Sequence, residues 1–472
     1  MRILIAVHGF PPELVGGTEL HARELALALA RAGHTIFIVA GTVEPAKPGE
    51  IELRRGVLEG SRGERIEVAR IARGDLYFDH WHKSLHSGVS QAFRELLREF
   101  RPDVVHVQHW IRLSRDLVAA AAREGIPSVV TLHDSWASCP IVFRVRPDTL
   151  RACDAIVGPH PCIACAGKLP PRTPWVSTES AFMLLAERQR DIARELELAR
   201  AVIAPSQAHA RAVERHLGRA PETLLVEVIP PCVCEAALDA LPARARPERP
   251  PTILHLATWS QIARHKGLEI LMTGFRFALE QLAGEKSLVL DVHGGESDPV
   301  HAAELRAIAL DAPVRWKGAF APGELGRVVD PRAQLFVSAS RAHESYGLTV
   351  DEAARLGLAL LLPDAPVYLE RFRGVAEFYS AGDANSLAEQ IARFARDPVR
   401  LGRARQRASE FAASLPSNTD LAQRHLDLYG RAIAAGAPEA LAETWFDARM
   451  SAAATAEWDR ALSARTAQEL GL

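Results

Sequence analysis

The chain has 472 residues, 48% of them hydrophobic and 24% charged, a globular composition long enough for two or three domains with their own cores. Its 56 basic and 58 acidic side chains leave a formal net charge of −2, which gives no electrostatic footprint for nucleic acid. No apolar run approaches the roughly 18 residues of a membrane span, Met1–Val7 is too short for a secretory h-region, and six cysteines do not make a disulfide scaffold, so a reducing cytoplasm is the expected location. Peripheral contact with a membrane and the oligomeric state stay open.

In chain order, short apolar runs alternate with amphipathic stretches. Arg2–Val7 reads as a strand, about Thr18 to Ala32 as a helix and Thr35–Ala40 as a strand. Asp103–Val107, a helix near Leu113–Arg123 and Ser128–Leu132 repeat the rhythm, as do Ala201–Ala204, a helix near Gln207–His216 and Leu225–Ile229. Ala236–Pro251, with Pro242, Pro247, Pro250 and Pro251, reads as a surface linker. The rhythm then restarts: Ile253–Ala257, a helix near Leu268–Leu282, Leu288–Val292, a helix near Ala302–Ala309, Val314–Lys317, Leu335–Ser338, a helix from about Leu348 to Gly357, and Leu358–Leu362.

This pattern predicts an α/β protein of two parallel-sheet, Rossmann-like domains facing a central cleft. The first spans 1–235 and carries a Cys-rich insert at about 139–173. The second spans 252–415, and C-terminal helices over 416–472 follow, the first part crossing back to the N-terminal domain; 436–472 reads as an appended helical extension.

The residues with chemical content sit after predicted strands. Glu344-Ser345-Tyr346-Gly347-Leu348 opens a helix, whose free amides and dipole favour a phosphate, and Glu352 follows in the first turns. Two separated carboxylates suit a ligand with a polyol at each end, since a carboxylate accepts from vicinal hydroxyls. A plainer reading makes Thr349–Glu352 a capping box and Glu344 an ordinary exposed acid. Arg264-His265-Lys266-Gly267 places two cations where a diphosphate could be neutralised, although a solvated loop end would look the same; with only six lysines against fifty arginines, Lys266 is not compositional noise. Gly16-Gly17-Thr18-Glu19 is a tight turn before the first helix and lacks a dinucleotide fingerprint. His8, His109 and His133 fall at strand ends, with Asp134 adjoining the last. Cys139, Cys153, Cys162 and Cys165, spaced C-x13-C-x8-C-x2-C, are candidates for structural zinc or for free buried thiols. The aromatics Tyr77, Phe78 and Trp81 could offer ring faces to a polyol ligand or simply pack their loop.

Taken together and in order, these pieces resemble the retaining nucleotide-sugar glycosyltransferases of the GT-B fold, glycosyltransferase family 4, from Met1 to about residue 430. The similarity is carried by Gly16-Gly17-Thr18-Glu19, Gly33-His34, Arg101–His106, Thr131–Asp134, Ala204-Pro205-Ser206, His265-Lys266-Gly267, Gly318, Glu344–Leu348 with Glu352-Ala353, and Gly382-Asp383. The resemblance implies that Glu344 meets the donor sugar's hydroxyls and Glu352 the donor ribose. Arg264 and Lys266 would bind the diphosphate, helped by Gly16, Gly17 and the amides around Gly347 and Leu348, with His133 near the transferred sugar. It further implies transfer from a nucleotide-diphosphate sugar to a glycan or glycoconjugate acceptor, with retention and without a required metal cofactor, in polysaccharide biosynthesis. Domain closure would exclude water from the donor. The alternative is a non-catalytic sugar-nucleotide-binding subunit of a glycan-assembly complex. An oxidoreductase is disfavoured because neither half has the glycine fingerprint. Ala257-Thr258-Trp259 stands where the family commonly has Gly-Arg.

Overall fold

The computed structural model describes residues 1–75, 84–166, 178–220, 226–234, 253–439, 447–452, 454 and 457. Tyr77, Phe78, Trp81, the linker 236–251, the insert beyond 166 and most of the extension lie outside the described residues. The chain divides into two compact units: 1–142, 154–233 and 417–472 form the first, and 143–153 with 234–416 the second.

The first unit is built on eight strands: β1 (Arg2–Val7), β2 (Thr35–Gly41), β3 (Ile51–Glu59), β4 (Arg65–Arg73), β5 (Val104–Val107), β6 (Ser128–Thr131), β7 (Ala201–Ala204) and β8 (Val226–Val228). Their order is β3-β4-β2-β1-β5-β6-β7-β8, parallel except where β3 pairs antiparallel with β4. Helices α1 (Gly17–Arg31), α2 (Ser87–Phe100), α3 (Leu117–Arg123), α4 (Pro159–Ala166), α5 (Thr178–Leu198) and α6 (Gln207–His216) accompany it. Alternate residues of β1 feed two cores, because successive strand side chains point to opposite faces. Leu4 and Ala6 pack with Phe93 of α2, Val118 of α3 and Ile192 of α5. Ile3, Ile5 and Val7 pack with Leu25 of α1 and with Leu421 and Tyr429 near the chain's end. Burial on both faces is why these strands read as unbroken apolar runs.

The β3–β4 hairpin lies outside the predicted strands. Exposed and half-buried residues alternate along β3, so the strand carries Glu52, Arg54 and Arg55 and shows no apolar run. Its Gly60–Gly63 turn is the local signal that could have marked it.

The second unit has six strands: β9 (Ile253–Trp259), β10 (Ser287–His293), β11 (Val314–Gly318), β12 (Leu335–Val337), β13 (Ala359–Pro363) and β14 (Glu377–Tyr379). All pairings are parallel and the order is β11-β10-β9-β12-β13-β14. This is the doubly wound 3-2-1-4-5-6 order, whose strand sequence reverses between β9 and β12. The helices are α7 (Leu268–Leu282), α8 (Pro299–Ala309), α9 (Leu325–Val328), α10 (Leu348–Arg355), α11 (Pro366–Phe372), α12 (Ala384–Arg396) and α13 (Pro398–Ser414). One continuous core joins Leu256, Leu290, Leu335 and Leu361 of the sheet to Leu271, Phe275 and Ile391 of the helices.

Two parts of the chain belong to units other than their sequence neighbours. Helix α14 (Asn418–Ala435) belongs to the first unit, where Leu421, Leu428 and Tyr429 join the core beneath β1. Residues 143–153 cluster with the second unit, as a turn in which Val145 pairs antiparallel with Ala152 and Arg146 N donates to Arg151 O at 2.8 Å.

Candidate functional site

In a doubly wound sheet the ligand crevice opens beyond the carboxyl ends of the strands at the point where their order reverses. In the second unit that point lies between the loops after β9 and β12. The first loop carries Arg264-His265-Lys266-Gly267 and the second Ser340–Gly347.

Backbone bonds tie these loops together. Arg341 N and Ala342 N both donate to His265 O, at 3.0 and 3.2 Å. Gly267 makes the approach feasible: its φ is +63°, and an added Cβ would stand 2.1 Å from Ala339 O. Lys266 and Glu344 thereby meet, with Lys266 Nζ 2.8 Å from Glu344 Oε1. Ser340 Oγ donates to the same oxygen at 2.6 Å, so Oε2 stays open to a ligand hydroxyl. Burial raises the Glu344 carboxyl, but the Lys266 ammonium outweighs it and holds the group below its ordinary range. His265 is pushed down to about 4, by burial first and then by Lys266, and is neutral. Its ring lies flat on Phe143, with centroids 3.8 Å apart and planes 7° from parallel.

Gly347 precedes α10 with φ +91°, and a Cβ there would come within 2.9 Å of the Tyr368 ring. This left-handed residue turns the chain so that Leu348 starts the helix, and Gly347 O accepts from the first-turn amide of Val350 at 2.9 Å. Glu352, in the second turn, accepts from Trp259 Nε1 at 2.8 Å through Oε2. Burial dominates its titration and pushes it up to about 7. The two carboxylates therefore differ: Glu344 is held ionised by a cation, whereas Glu352 has a neutral donor. Asp351 plays another part, bonded to Arg371 at 2.8 and 3.0 Å while that guanidinium lies over the Tyr346 ring.

Arg264 is paired with carboxylates of its own unit. Its guanidinium is held by Asp298 at 3.1 Å and by Glu304 at 2.9 Å, the first residue capping α8 and the second lying on it. The geometry leaves Lys266 as the cation joined to Glu344. Sequence proximity could not distinguish the two, because adjacent residues in a turn project in different directions.

In the first unit the expected imidazoles converge at the ends of β1, β5 and β6. His8 Nε2 lies 3.1 Å from Glu19 Oε1 and its ring is 4.4 Å from that of His109, whose Nε2 is 3.3 Å from Asp134 Oδ2. His133 bonds Gln108 Oε1, and its ring is 4.9 Å from that of His21. Burial, reinforced by neighbouring imidazoles, keeps His133 and His21 well below the usual histidine range, hence neutral. Gly16 caps α1 with extended backbone, and Gly17 begins the helix.

Among the described residues, no three of Cys139, Cys153, Cys162 and Cys165 bring their sulfurs within 4.8 Å of one another, and none of the four is in a disulfide. Cys153 belongs to the segment that clusters with the second unit, whereas the other three belong to the first. No described helix is long and apolar enough to cross a membrane.

Comparison with known proteins agrees with this architecture. The family model described as Glycosyltransferase Family 4 matches residues 15–236. Glycogen synthase of Mycobacterium tuberculosis is 29% identical over 146 residues, 28% of this chain and 33% of the relative, so the match spans about a third of that relative's length. Among solved structures, sucrose-phosphate synthase from Thermosynechococcus elongatus aligns with TM-score 0.64 and 19% identity, covering 92% of this chain and 100% of the other. The catalytic domain of starch synthase IV from Arabidopsis thaliana, bound to ADP and acarbose, aligns with TM-score 0.60 and 15% identity, covering 92% and 99%. With parallel sheets in both units, the protein has the GT-B fold. Over residues 15–236, just under half of the chain, the sequence is similar to glycosyltransferase family 4.

Proposed function

We propose that the protein is a glycosyltransferase that takes a sugar from a nucleotide-diphosphate sugar and passes it to a glycan or glycoconjugate acceptor with retention at the anomeric carbon. The observation that carries this reading is the Lys266–Glu344 contact at the β9/β12 crevice, beside the start of α10. Glu344 Oε2 accepts from hydroxyls of the donor sugar, and Glu352 accepts from the ribose. Breaking the anomeric bond leaves negative charge on the diphosphate. Lys266 and the amides around Gly347 and Leu348 are placed to stabilise it, supplying fixed charge where the leaving group develops its own. Arg264 would contribute only by exchanging its bonds to Asp298 and Glu304.

With Lys266 and helix amides meeting the diphosphate, the chemistry proceeds without a divalent cation. Retention without an enzymic nucleophile has the acceptor hydroxyl attack on the face the phosphate leaves, giving its proton to that phosphate. His133, neutral in the first unit, is assigned to the transferred sugar, and the acceptor to that unit. A cytoplasmic site of action fits a supply of nucleotide sugars.

A thermal-shift panel of UDP, GDP, ADP and TDP sugars tests the reading. One sugar nucleotide should raise the melting temperature of the wild type and not of Lys266→Ala. Stabilisation of neither protein by any of them would overturn it.

A further inference from the structure

Trp259 closes β9 and is 2% exposed. Its ring packs against Phe336 of β12, with centroids 4.4 Å apart, and its Nε1–H donates to Glu352 Oε2 at 2.8 Å. A buried indole N–H needs an acceptor, but a carboxylate is a costly one to bury without a cation. The charged neighbour acting on Glu352 is Asp351, a like charge already bound by Arg371. What the pair gains is direction. Oε2 is occupied by a rigid donor mounted on the sheet, and Oε1 is left for a ligand.

We infer that Trp259 is a positioning residue for nucleoside recognition, holding the Glu352 carboxylate so that Oε1 meets the vicinal diol of a ribose. This rests on the reading of Glu352 given above. An arginine or lysine in the same place would also orient the carboxylate, but would neutralise it and hold it ionised at all working pH. The indole orients it and leaves it able to titrate. The ionised form accepts from both ribose hydroxyls, whereas the protonated form accepts less well, so recognition of the diol strengthens as pH rises through about 7.

The test measures calorimetric affinity for UDP and ADP against their 2′,3′-dideoxy analogues from pH 5.5 to 8.5. The ratio cancels the titration of the phosphates. In the wild type it should grow as pH rises. Trp259→Phe keeps the ring and removes the donor. It should reduce the ratio about tenfold at pH 7.5, as expected for losing a hydrogen bond to a charged group, and move the midpoint to higher pH because the indole bond favours the ionised form. Trp259→His, which retains a ring N–H, should recover part of the loss. A folded Trp259→Phe protein with wild-type ratio and midpoint would overturn the inference.

Should the variant not fold, the wild type still decides the matter through its ¹⁵N-labelled indole resonances. One should titrate near pH 7 and shift in Glu352→Gln, and none doing so would overturn the inference. The underlying reading fails separately: Glu352→Gln discriminating ribose from dideoxyribose as well as the wild type would remove Glu352 from the ribose altogether.

Discussion

The Tyr429 hydroxyl lies 2.6 Å from His106 Nδ1, joining residues 323 positions apart in sequence inside one buried core. His106 spends its other ring nitrogen on Thr131 Oγ1 at 2.7 Å, and its ring edges against Tyr429 with centroids 5.5 Å apart. This contact fastens α14 to β5 in the first unit.

Tyr429→Phe should therefore destabilise the first unit by about 1–3 kcal/mol, the cost of leaving a buried polar group without its partner. Urea unfolding followed by circular dichroism would measure it. An unchanged midpoint would mean that Gln108, whose Nε2 is 3.2 Å from the same nitrogen, replaces the phenol fully.

Lys266→Ala should lower transfer from the sugar nucleotide by about 10²–10³-fold, the usual loss when one preorganised charge contact to a developing anion is removed, and Glu344→Gln should lower it as well by removing the carboxylate that accepts from the donor sugar's hydroxyls. Both residues are partly exposed, so far-UV dichroism should stay native. Activity should survive EDTA. Its loss on chelation and return with Mg²⁺ or Mn²⁺ would contradict the role given to Lys266.

Gly267→Ala should cost more activity than stability. The new methyl would meet the Ala339 carbonyl at 2.1 Å in a conformation that L residues seldom adopt, so the turn must move and carry Lys266 with it. Turnover and melting temperature measured on one preparation would show the disproportion, and equal losses would speak against it.

Acid should weaken the first unit. Burial pushes His425 down to about 4, and it keeps His21, His106 and His133 well below 6.5. Between those values the unfolded chain binds protons that the folded one refuses, so stability is fully present above about pH 6.5 and is lost as pH falls towards 4. For His425 alone the loss amounts to a few kcal/mol. Urea midpoints between pH 7 and 4.5 should fall, and should fall less steeply in His425→Phe; parallel curves would remove His425 from the account.

Much of this architecture was legible from the residues. β1, β5, β9 and β13 are buried on both faces and therefore appear as apolar runs, and the loops that follow strands of this kind carry the candidate site residues. The β3–β4 hairpin escaped because an edge strand with a wet face has no such run. Lys266 and Glu344 could be named individually, but nothing local revealed that they touch. In sequence Trp259 is only a departure from a family motif, and the fold alone places its indole on Glu352.

The order of strands and helices, the choice of switch-point loops and the glycines that let them turn were written in the one-dimensional pattern, because burial and backbone sterics act through periodicity and residue type. The direction of each side chain was settled only in three dimensions. Arg264 went to Asp298 and Glu304 and Lys266 to Glu344, since hydrogen-bond and ion-pair partners are chosen by distances that folding sets between residues remote in the chain.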